Sequence, residues 1–301
     1  MRVEKVEGRR HVLDSGSEVY PDSLRELSSA PKRLYLVGDP AALQPGLAVI
    51  GARRATPYGL GCAGRFARIA ADKGVTIISG GARGCDSEAH RAALDAGSPT
   101  VVFLGGGCDN LYPPEHGSLF QRIVDAGGAI VSEHPWDFKP LPYTFRARNR
   151  LIAGLAEAVL IVEAGLPSGT FSTADEALAM GKEVLVVPGA ITSPSSHGSN
   201  RLLYQGAIPV VDDESFEDVL FSTLGVLKRT SNDERDGQPA ATPLIEALLA
   251  EPLTMEQLYA QTKRLYGGDD VRRRMMAELA QAEAAGLVSR YPDGRWGPCM
   301  K

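Results

Sequence analysis

The sequence predicts an α/β fold: a doubly wound, mostly parallel sheet with helices on both faces, followed by a small helical domain that ends in a hairpin. From residue 34 to about residue 225, short apolar runs alternate with helix-like segments. These runs are β-branched and largely free of polar alternation, which is typical of strands buried on both faces. After residue 241 the pattern changes to three helix-like segments and a Pro-Asp-Gly turn signal.

Eight apolar runs are the predicted strands of the first domain. They lie at 34–37, 47–50, 75–78, 100–104, 129–132, 158–162, 184–187 and 208–211. Helices are predicted between them at 57–73, 86–96, 115–126, 147–157, 170–181 and 198–206. Because strand, helix and strand alternate repeatedly, right-handed crossovers should place the helices on both faces of the sheet. This domain is predicted over 34–225, and residues 1–33 are predicted to be irregular because they are few and carry no clear pattern.

The remainder of the chain predicts a linker and a second domain. Residues 226–241 are polar and contain glycine and proline, which is typical of a linker. Within 242–301, three short helices precede a hairpin, which is the element order of a winged-helix domain. In the third helix, apolar residues recur at three- or four-residue steps and predict a buried stripe of Val271, Met275, Leu279 and Ala282.

Composition and charge exclude several classes of protein. Of 301 residues, 44% are hydrophobic and 23% are charged, as in ordinary globular chains, and the length suggests about two domains. The net charge of −5 gives no general sign of a nucleic-acid or acidic-membrane partner. The four cysteines lack the close paired spacing of a zinc site or a disulfide framework. No apolar stretch reaches the roughly 20 residues of a membrane span and the first residues lack a signal-peptide core, so a cytoplasmic protein without a metal is expected.

Glycine-rich turns follow five of the predicted strands. They are Gly51, the segments 79–84, 105–107 and 163–170, and Gly189. In a parallel sheet these turns share the carboxyl edge, where ligands bind, and each leads toward a helix N-terminus that favours anions. Any single turn of this kind needs glycine for structural reasons alone. Five such turns at one edge nevertheless predict a phosphate-binding surface.

The common nucleotide-cofactor motifs are absent or misplaced. The run 59–64 matches the dinucleotide template, but it lies inside a predicted helix, and Ser79 and Gly80 stand where the ribose-binding acid should be. No Walker A motif surrounds Lys182, and the histidines are scattered along the chain without an obvious catalytic triad. No cofactor and no catalytic residue are therefore expected.

A basic run opens one predicted helix. Phe145 is followed by Arg146, Arg148, Asn149 and Arg150. Acids are preferred in a first helical turn, whereas arginine forks match phosphate oxygens and an exposed phenylalanine can stack on an unpaired base. The alternative is that Phe145 packs into the core and that the arginines pair with Glu133, Asp137 or Glu163. The run alone leaves both interpretations open.

Six motifs stand in order along the chain. They are GARRATPYG (51–59), SGGARGCDSEAHRAAL (79–94), GGGCDNLYPPEH (105–116), FRARNRLIAGL (145–155), SGTFSTADEAL (168–178) and VPGAITSPSSHGSNRLLYQGA (187–207). Together they resemble the DNA-processing protein A family, DprA/Smf, in order and spacing over about 20–225, and 242–301 resembles the family's winged-helix domain. The resemblance implies a Rossmann-like fold that binds single-stranded DNA, works as a homodimer and loads the RecA recombinase in natural transformation and recombination.

The resemblance also implies which residues contact the strand. Phosphate contacts carry over to Gly51, Arg53, Ser79, Gly80, Arg83, Gly84, Arg148 and Asn149, and Phe145 matches the aromatic beside the bound strand. A basic residue that often precedes this aromatic is missing from 141–144, with Lys139 its nearest substitute. Gly81 and Cys85 stand where larger aliphatic residues are usual, and Arg146 replaces a usual proline. The sterile-alpha-motif-like domain of many members is not expected, since about 33 residues precede the first predicted strand.

The leading hypothesis is a binding protein without catalytic chemistry. The arginines expected at the carboxyl edge are Arg53, Arg54, Arg83, Arg148 and Arg150, whereas Asp72, Asp95 and Asp125 fall at the opposite edge. Positive charge would then concentrate in a groove on an acidic protein. Asp86 and Glu163 also fall on the binding edge and weaken this argument. Because phosphate contacts carry no base information, sequence-independent binding is expected.

Two alternatives are a hydrolase and a transcription factor. Gly169 and Thr170 resemble part of the motif of the nucleotide-cleaving Lonely Guy phosphoribohydrolases, but Thr173 stands where those enzymes have a glutamate, and Glu176 lies three residues further on. Without that carboxylate, acid–base chemistry lacks its obvious agent. The winged helix could instead read duplex DNA, yet residues 240–301 hold eight basic and eight acidic residues. A structural or partner-docking role is favoured for it.

Overall fold

The computed structural model describes residues 5–226, 242–267, 270–284, 287–291 and 294–299. The chain divides into two compact units, Met1–Lys228 and Arg229–Lys301, and each is described by itself. The linker predicted at 226–241 lies outside the described residues, apart from Val226.

The first unit is built on one large sheet. Its strands are β1 (Arg10–Asp14), β2 (Arg33–Gly38), β3 (Gly46–Ile50), β4 (Thr76–Ser79), β5 (Thr100–Phe103), β6 (Ala129–Ser132), β7 (Ala156–Ile161), β8 (Glu183–Val186) and β9 (Ile208–Pro209). Within 5–226 they form a nine-stranded sheet in the order β1-β2-β6-β5-β4-β3-β7-β8-β9. The pairs from β6 to β9 in this order are parallel, whereas β2 pairs antiparallel with both β1 and β6. The predicted Rossmann-like, mostly parallel α/β fold is confirmed.

Helices cover both faces of this sheet. They are α1 (Asp22–Arg25), α2 (Pro57–Asp72), α3 (Cys85–Asp95), α4 (Gly117–Asp125), α5 (Pro142–Leu155), α6 (Thr170–Ala179), α7 (His197–Tyr204) and α8 (Asp213–Leu224). Buried residues of α1, α5, α6 and α7 pack on one face, and those of α2, α3, α4 and α8 pack on the other. In the residues described, no helix is both long and apolar enough to span a bilayer.

The prediction that residues 1–33 are irregular is wrong, because this segment contains the strand β1 and the short helix α1. This strand pairs with β2 over five residues, from Arg10 opposite Val37 to Asp14 opposite Arg33. Leu13 is buried while its neighbours on the strand are wholly or partly exposed, as expected for an edge strand packed on one side. A single buried side chain in a short strand leaves too weak a pattern to predict.

Besides α1, two helices differ from the prediction. α5 begins at Pro142 rather than residue 147, because proline is favoured in a first helical turn, where its missing N–H leaves no bond unmade. α8 was not predicted at all. It begins after Asp212, whose Oδ1 accepts the Ser215 N–H at 2.7 Å, and its buried Phe216 packs against Phe66 of α2.

The second unit has three helices followed by a hairpin. The helices are α9 (Pro243–Ala250), α10 (Met255–Tyr266) and α11 (Val271–Ala284). The strands β10 (Val288–Arg290) and β11 (Trp296–Pro298) pair antiparallel. The stripe predicted on the third helix, Val271, Met275, Leu279 and Ala282, is buried.

Candidate functional site

A cleft of about 490 Å³ lies at the carboxyl ends of β3 and β7. β4 and β7 flank β3 on its two sides in the sheet, so the strand order reverses at this point, which is where open α/β sheets bind ligands. The turn after β3, the start of α5 and the loop before α6 form its walls. Of the predicted site residues, Gly51, Arg53, Phe145, Arg148 and Asn149 line it. A smaller adjoining pocket, which shares Arg53, Phe145 and Arg148, is lined by Gly80, Arg83 and Tyr112.

The loop between β4 and α3 depends on glycine at two positions. Gly84 has a φ of +78°, and a Cβ there would lie 2.1 Å from the Ala52 carbonyl oxygen. A Cβ on Gly80 would lie 2.5 Å from Nη2 of Arg148. The loop therefore passes so close to its neighbours that a side chain at either position would displace it.

Arg148 joins the ends of two strands. Its side chain is buried, and Nη1 donates to the Gly80 carbonyl at 2.9 Å and also to the Phe103 carbonyl. Nε has no hydrogen-bond partner among the described residues. Burial lowers the pKa of Arg148 to about 10, so the guanidinium stays charged at neutral pH. Because Nη1 of Arg148 already donates to two backbone carbonyls, the main role of this side chain in the structure is to hold the loop. The predicted phosphate contact by Arg148 is limited accordingly.

The two carboxylates expected to weaken the positive edge are used internally. Oδ2 of Asp86 accepts the N–H groups of Gly80 at 3.2 Å and Ala82 at 3.4 Å, and burial raises the pKa of this carboxyl. Glu163 is buried and accepts the Thr56 hydroxyl at 2.6 Å at the start of α2. Both groups hold backbone in place, and neither presents an open negative charge to the surface.

The arginines and lysine of the edge have different environments. Arg53, Arg54, Lys139 and Arg146 are exposed, and no carboxylate of the described residues lies within 4 Å of their charged groups. Arg83 is exposed but pairs with Glu115. Arg150 makes a two-pronged pair with Glu133, at 2.8 and 2.6 Å, and also donates to Ser29. For Arg150 the ion-pair alternative is correct and the expected contribution to the groove is wrong.

Phe145 forms a cluster with a second aromatic ring and an arginine. Its half-buried ring lies 5.1 Å from the Tyr112 ring, centroid to centroid, and Cζ of Arg53 lies 5.6 Å from its centroid. A Cβ on Gly105 would lie 2.7 Å from Cδ1 of Phe145, so the ring can pack here only because residue 105 has no side chain. Tyr112 is 40% exposed. Sequence reasoning missed it, although it stands in the motif GGGCDNLYPPEH beside two prolines that stiffen its turn.

The side chains of two predicted contact residues are already hydrogen-bonded within the protein. Ser79 is fully buried, and its hydroxyl donates to the Val49 carbonyl at 2.7 Å, so a phosphate contact by this side chain does not fit the structure. Nδ2 of Asn149 donates to Oγ of Ser172 at 2.7 Å, which ties α5 to α6. Gly84 and Lys139 do not line either cavity; Lys139 is exposed in the segment before α5.

The position that corresponds to the hydrolase glutamate holds no carboxylate. Thr173 is buried and lines the cleft. Glu176 is not among the residues that line it. Among the described residues around the cleft, Asp86 supplies the carboxylate, and it is engaged with the loop N–H groups.

The family of the chain follows from comparison with known proteins. The family model for DNA recombination-mediator protein A matches residues 11–221. Protein Smf of Escherichia coli (strain K12) is 37% identical over 290 residues, which cover 94% of this chain and 76% of that protein. The structure of DNA processing protein A from Helicobacter pylori, described for its single-stranded DNA binding mode, superposes with a TM-score of 0.65 at 34% identity, covering 72% of this chain and 98% of that one. That of DprA from Streptococcus pneumoniae gives a TM-score of 0.64 at 31% identity, covering 73% and 76%. The chain therefore belongs to the DprA/Smf family of DNA recombination-mediator proteins.

Proposed function

We propose that the carboxyl edge of the sheet binds single-stranded DNA without sequence preference. The observation that carries this proposal is that exposed Arg53 and Arg146, which pair with no carboxylate of the described residues, lie with the Phe145–Tyr112 ring pair around two adjoining pockets. Arginines neutralise backbone phosphates, and aromatic rings stack on bases that are free of a complementary strand. The single-stranded DNA binding described for the Helicobacter pylori relative supports the same ligand here.

The contacts that we propose fall into two groups. Arg53, Arg146 and Lys139 reach solvent and act on phosphates directly, together with the backbone N–H group of Gly51. The Gly80 N–H already donates to Asp86, so Gly80 serves the shape of the loop. Arg148, Asn149, Ser79 and Gly84 hold the loops on which these groups stand. Arg83 can contact a phosphate only when its ion pair with Glu115 breaks, because the guanidinium is bound to that carboxylate.

Family membership supports a wider role, which we propose as follows. The protein works as a homodimer that loads a RecA-type recombinase on the bound strand during DNA uptake and recombination, without catalytic chemistry of its own. The segment 226–241 is a linker, and the unit at 242–301 is a winged-helix domain that docks a partner. The burial of Thr173 at the position of the hydrolase glutamate supports the non-catalytic role. Release of free adenine from AMP by the purified protein would contradict that part.

The binding proposal is tested by fluorescence anisotropy with a labelled oligothymidylate. Arg53→Ala combined with Arg146→Ala should weaken binding at low salt at least tenfold, because two phosphate contacts and the counterions they release are lost. Arg122→Ala is the matched control, since this exposed arginine lies near the end of α4 and pairs with Asp95 at the opposite edge. Equal loss in both proteins would contradict a localised binding edge.

A further inference from the structure

Tyr58 and Arg54 lie at the carboxyl edge of the sheet, outside the contacts proposed above. Both residues are exposed, and Tyr58 stands in the first turn of α2 with 54% of its surface open to solvent. No carboxylate of the described residues lies within 4 Å of the charged group of Arg54. Neither residue lines the cleft or its adjoining pocket. This edge therefore carries an exposed ring and an exposed guanidinium beyond the two pockets.

Tyr58 is held over the ends of two strands. A Cβ on Gly59 would lie 2.2 Å from Oε2 of Glu163, which follows β7 by two residues, so the start of α2 packs directly on that strand end. The Tyr58 hydroxyl donates to the Pro188 carbonyl at 2.8 Å, and Pro188 follows β8 by two residues. The ring is thus fixed at the ends of β7 and β8 while part of its surface stays open.

The Phe145–Tyr112 pair lies at the end of a different strand. Phe145 packs against Gly105, which follows β5 by two residues. In the sheet, β4, β3 and β7 separate β5 from β8. With neighbouring strands about 4.8 Å apart, the two ring positions are separated by roughly 15–20 Å. At about 3.4 Å per nucleotide in a stacked strand, this distance corresponds to about five nucleotides.

The chemistry of these two residues fits a single strand better than a second copy of the chain. A tyrosine ring offers a face on which any unpaired base can stack, and a guanidinium matches the oxygens of a phosphodiester. A contact between two copies that buried Arg54 would need a carboxylate from the partner to offset the loss of water. A strand supplies its own negative charge at every phosphate.

We propose that Tyr58 and Arg54 form a second nucleotide-binding position for single-stranded DNA. One base stacks on the Tyr58 ring and a neighbouring phosphate binds Arg54, while the Phe145–Tyr112 pair holds a base near the other end of the bound segment. The strand therefore crosses the ends of β5, β4, β3, β7 and β8. This inference rests on the proposed function, because it extends the same binding edge to further nucleotides.

Substitutions at Tyr58 separate the effect of the ring from that of the hydroxyl. Tyr58→Ala removes both groups, whereas Tyr58→Phe keeps the ring and loses the hydrogen bond to Pro188. Tyr204→Ala is the matched control, because Tyr204 is 90% exposed and ends α7, just before β9 begins at the opposite edge. Fluorescence anisotropy measures the affinity for a labelled oligothymidylate of about twelve nucleotides, which is longer than the bound segment. Melting temperature and mass in solution are measured for every variant.

Tyr58→Ala should weaken binding about tenfold, as expected for one lost base stack, while Tyr58→Phe and Tyr204→Ala stay within about twofold of wild type. Tyr58→Ala combined with Phe145→Ala should weaken binding about a hundredfold, because effects at positions this far apart add in free energy. Arg54→Gln should reduce the slope of log affinity against log salt by about 0.7, as expected for one phosphate contact on a single strand.

Several outcomes would overturn this second position. Unchanged affinity of Tyr58→Ala would do so, and an equal loss in Tyr58→Phe would assign the effect to the bond with Pro188 instead of the ring. A double variant no weaker than Phe145→Ala would mean that both rings serve one base, and an unchanged salt slope for Arg54→Gln would rule out its phosphate contact. A Tyr58→Ala protein with half the mass and normal affinity would assign the ring to a contact between two copies. In each case the wild-type protein still binds the oligothymidylate, whereas a wild-type protein that does not bind it would contradict the proposed function itself.

Discussion

At the residue scale, the arginines of one sequence run perform different tasks. Arg146 is exposed, Arg148 is buried between two strand ends, and Arg150 is paired with Glu133. Neighbouring groups explain the difference better than position on the helix, because Arg146 and Arg150 are four residues apart and lie on one face. Arg146 lines the cleft, whereas Arg150 is bound by Ser29 and Glu133. Residue type alone therefore does not identify which arginine meets a phosphate.

Phe145→Ala should weaken single-strand binding with almost no change in its salt dependence. A stacking ring contributes about 1–3 kcal/mol per base and releases few counterions. Tyr143→Ala is the control, since Tyr143 stands in the same first turn, is 66% exposed and does not line the cleft. Affinity over a salt series and melting temperature are measured on both variants. A Phe145→Ala protein that melts far lower while its folded fraction binds normally would show that the ring is a core residue.

Arg148→Ala should lower thermal stability as well as binding. The substitution removes the one donor, Nη1, that both the Gly80 and the Phe103 carbonyls accept. Each buried carbonyl left without a donor lowers the free energy of unfolding by about 1–3 kcal/mol. Arg53→Ala is the comparison, because Arg53 is exposed and its loss should leave the melting temperature nearly unchanged. Calorimetry on the two variants measures this difference. An unchanged melting temperature for Arg148→Ala would refute the loop-holding role.

At the element scale, the parallel strands were predictable and the edge strand was not. β3 to β8 are continuous apolar runs because both faces are covered by helices, and the runs predicted at 47–50 and 129–132 fit the observed strands within one residue. β1 is covered on one side only, so its pattern is weak. The glycine turns at the carboxyl edge also follow from the strand order, since each parallel strand ends there.

The contacts that complete the site could not be predicted from local sequence. The pairing of Tyr112 with Phe145, of Arg150 with Glu133 and of Asp86 with the β4–α3 loop depends on how separate elements pack. Asp86 and Glu163 lie at the expected edge, but their burial reverses their expected effect on its surface charge. Side-chain burial at a sheet edge is decided by neighbours distant in sequence.

The packing of α3 on β5 should weaken in acid through His90. Burial lowers the pKa of His90 to about 3, and its Nδ1 lies 2.8 Å from the Thr100 hydroxyl. The unfolded chain binds a proton near pH 6.5 and the folded protein does not, so the stability is present above pH 6.5 and is lost as the pH falls toward 3, at about 1.4 kcal/mol per pH unit. His90→Gln removes this titration. The melting temperature should therefore drop less between pH 7 and pH 5 in the variant than in the unmodified protein. An equal drop in both proteins would contradict the burial of a neutral histidine.

At the scale of the whole molecule, net charge is a poor guide to the ligand. The chain carries −5 overall, yet the exposed groups around the cleft are arginines whose nearby acids are buried or bonded to backbone. A local positive surface on an acidic protein attracts a strand at short range and is screened strongly by salt. The affinity for DNA should therefore depend on salt more steeply than the overall charge suggests.

The most direct test of single-strand binding at this edge is the affinity of the unmodified protein for one oligonucleotide as a single strand and as a duplex over a salt series. We expect the single strand to bind more tightly at every salt concentration, because the paired and stacked bases of a duplex cannot stack on Phe145 and Tyr112. We also expect the logarithm of the affinity to fall linearly with the logarithm of the salt concentration. Equal affinity for the duplex, or an affinity that does not change with salt, would contradict single-strand binding at this edge.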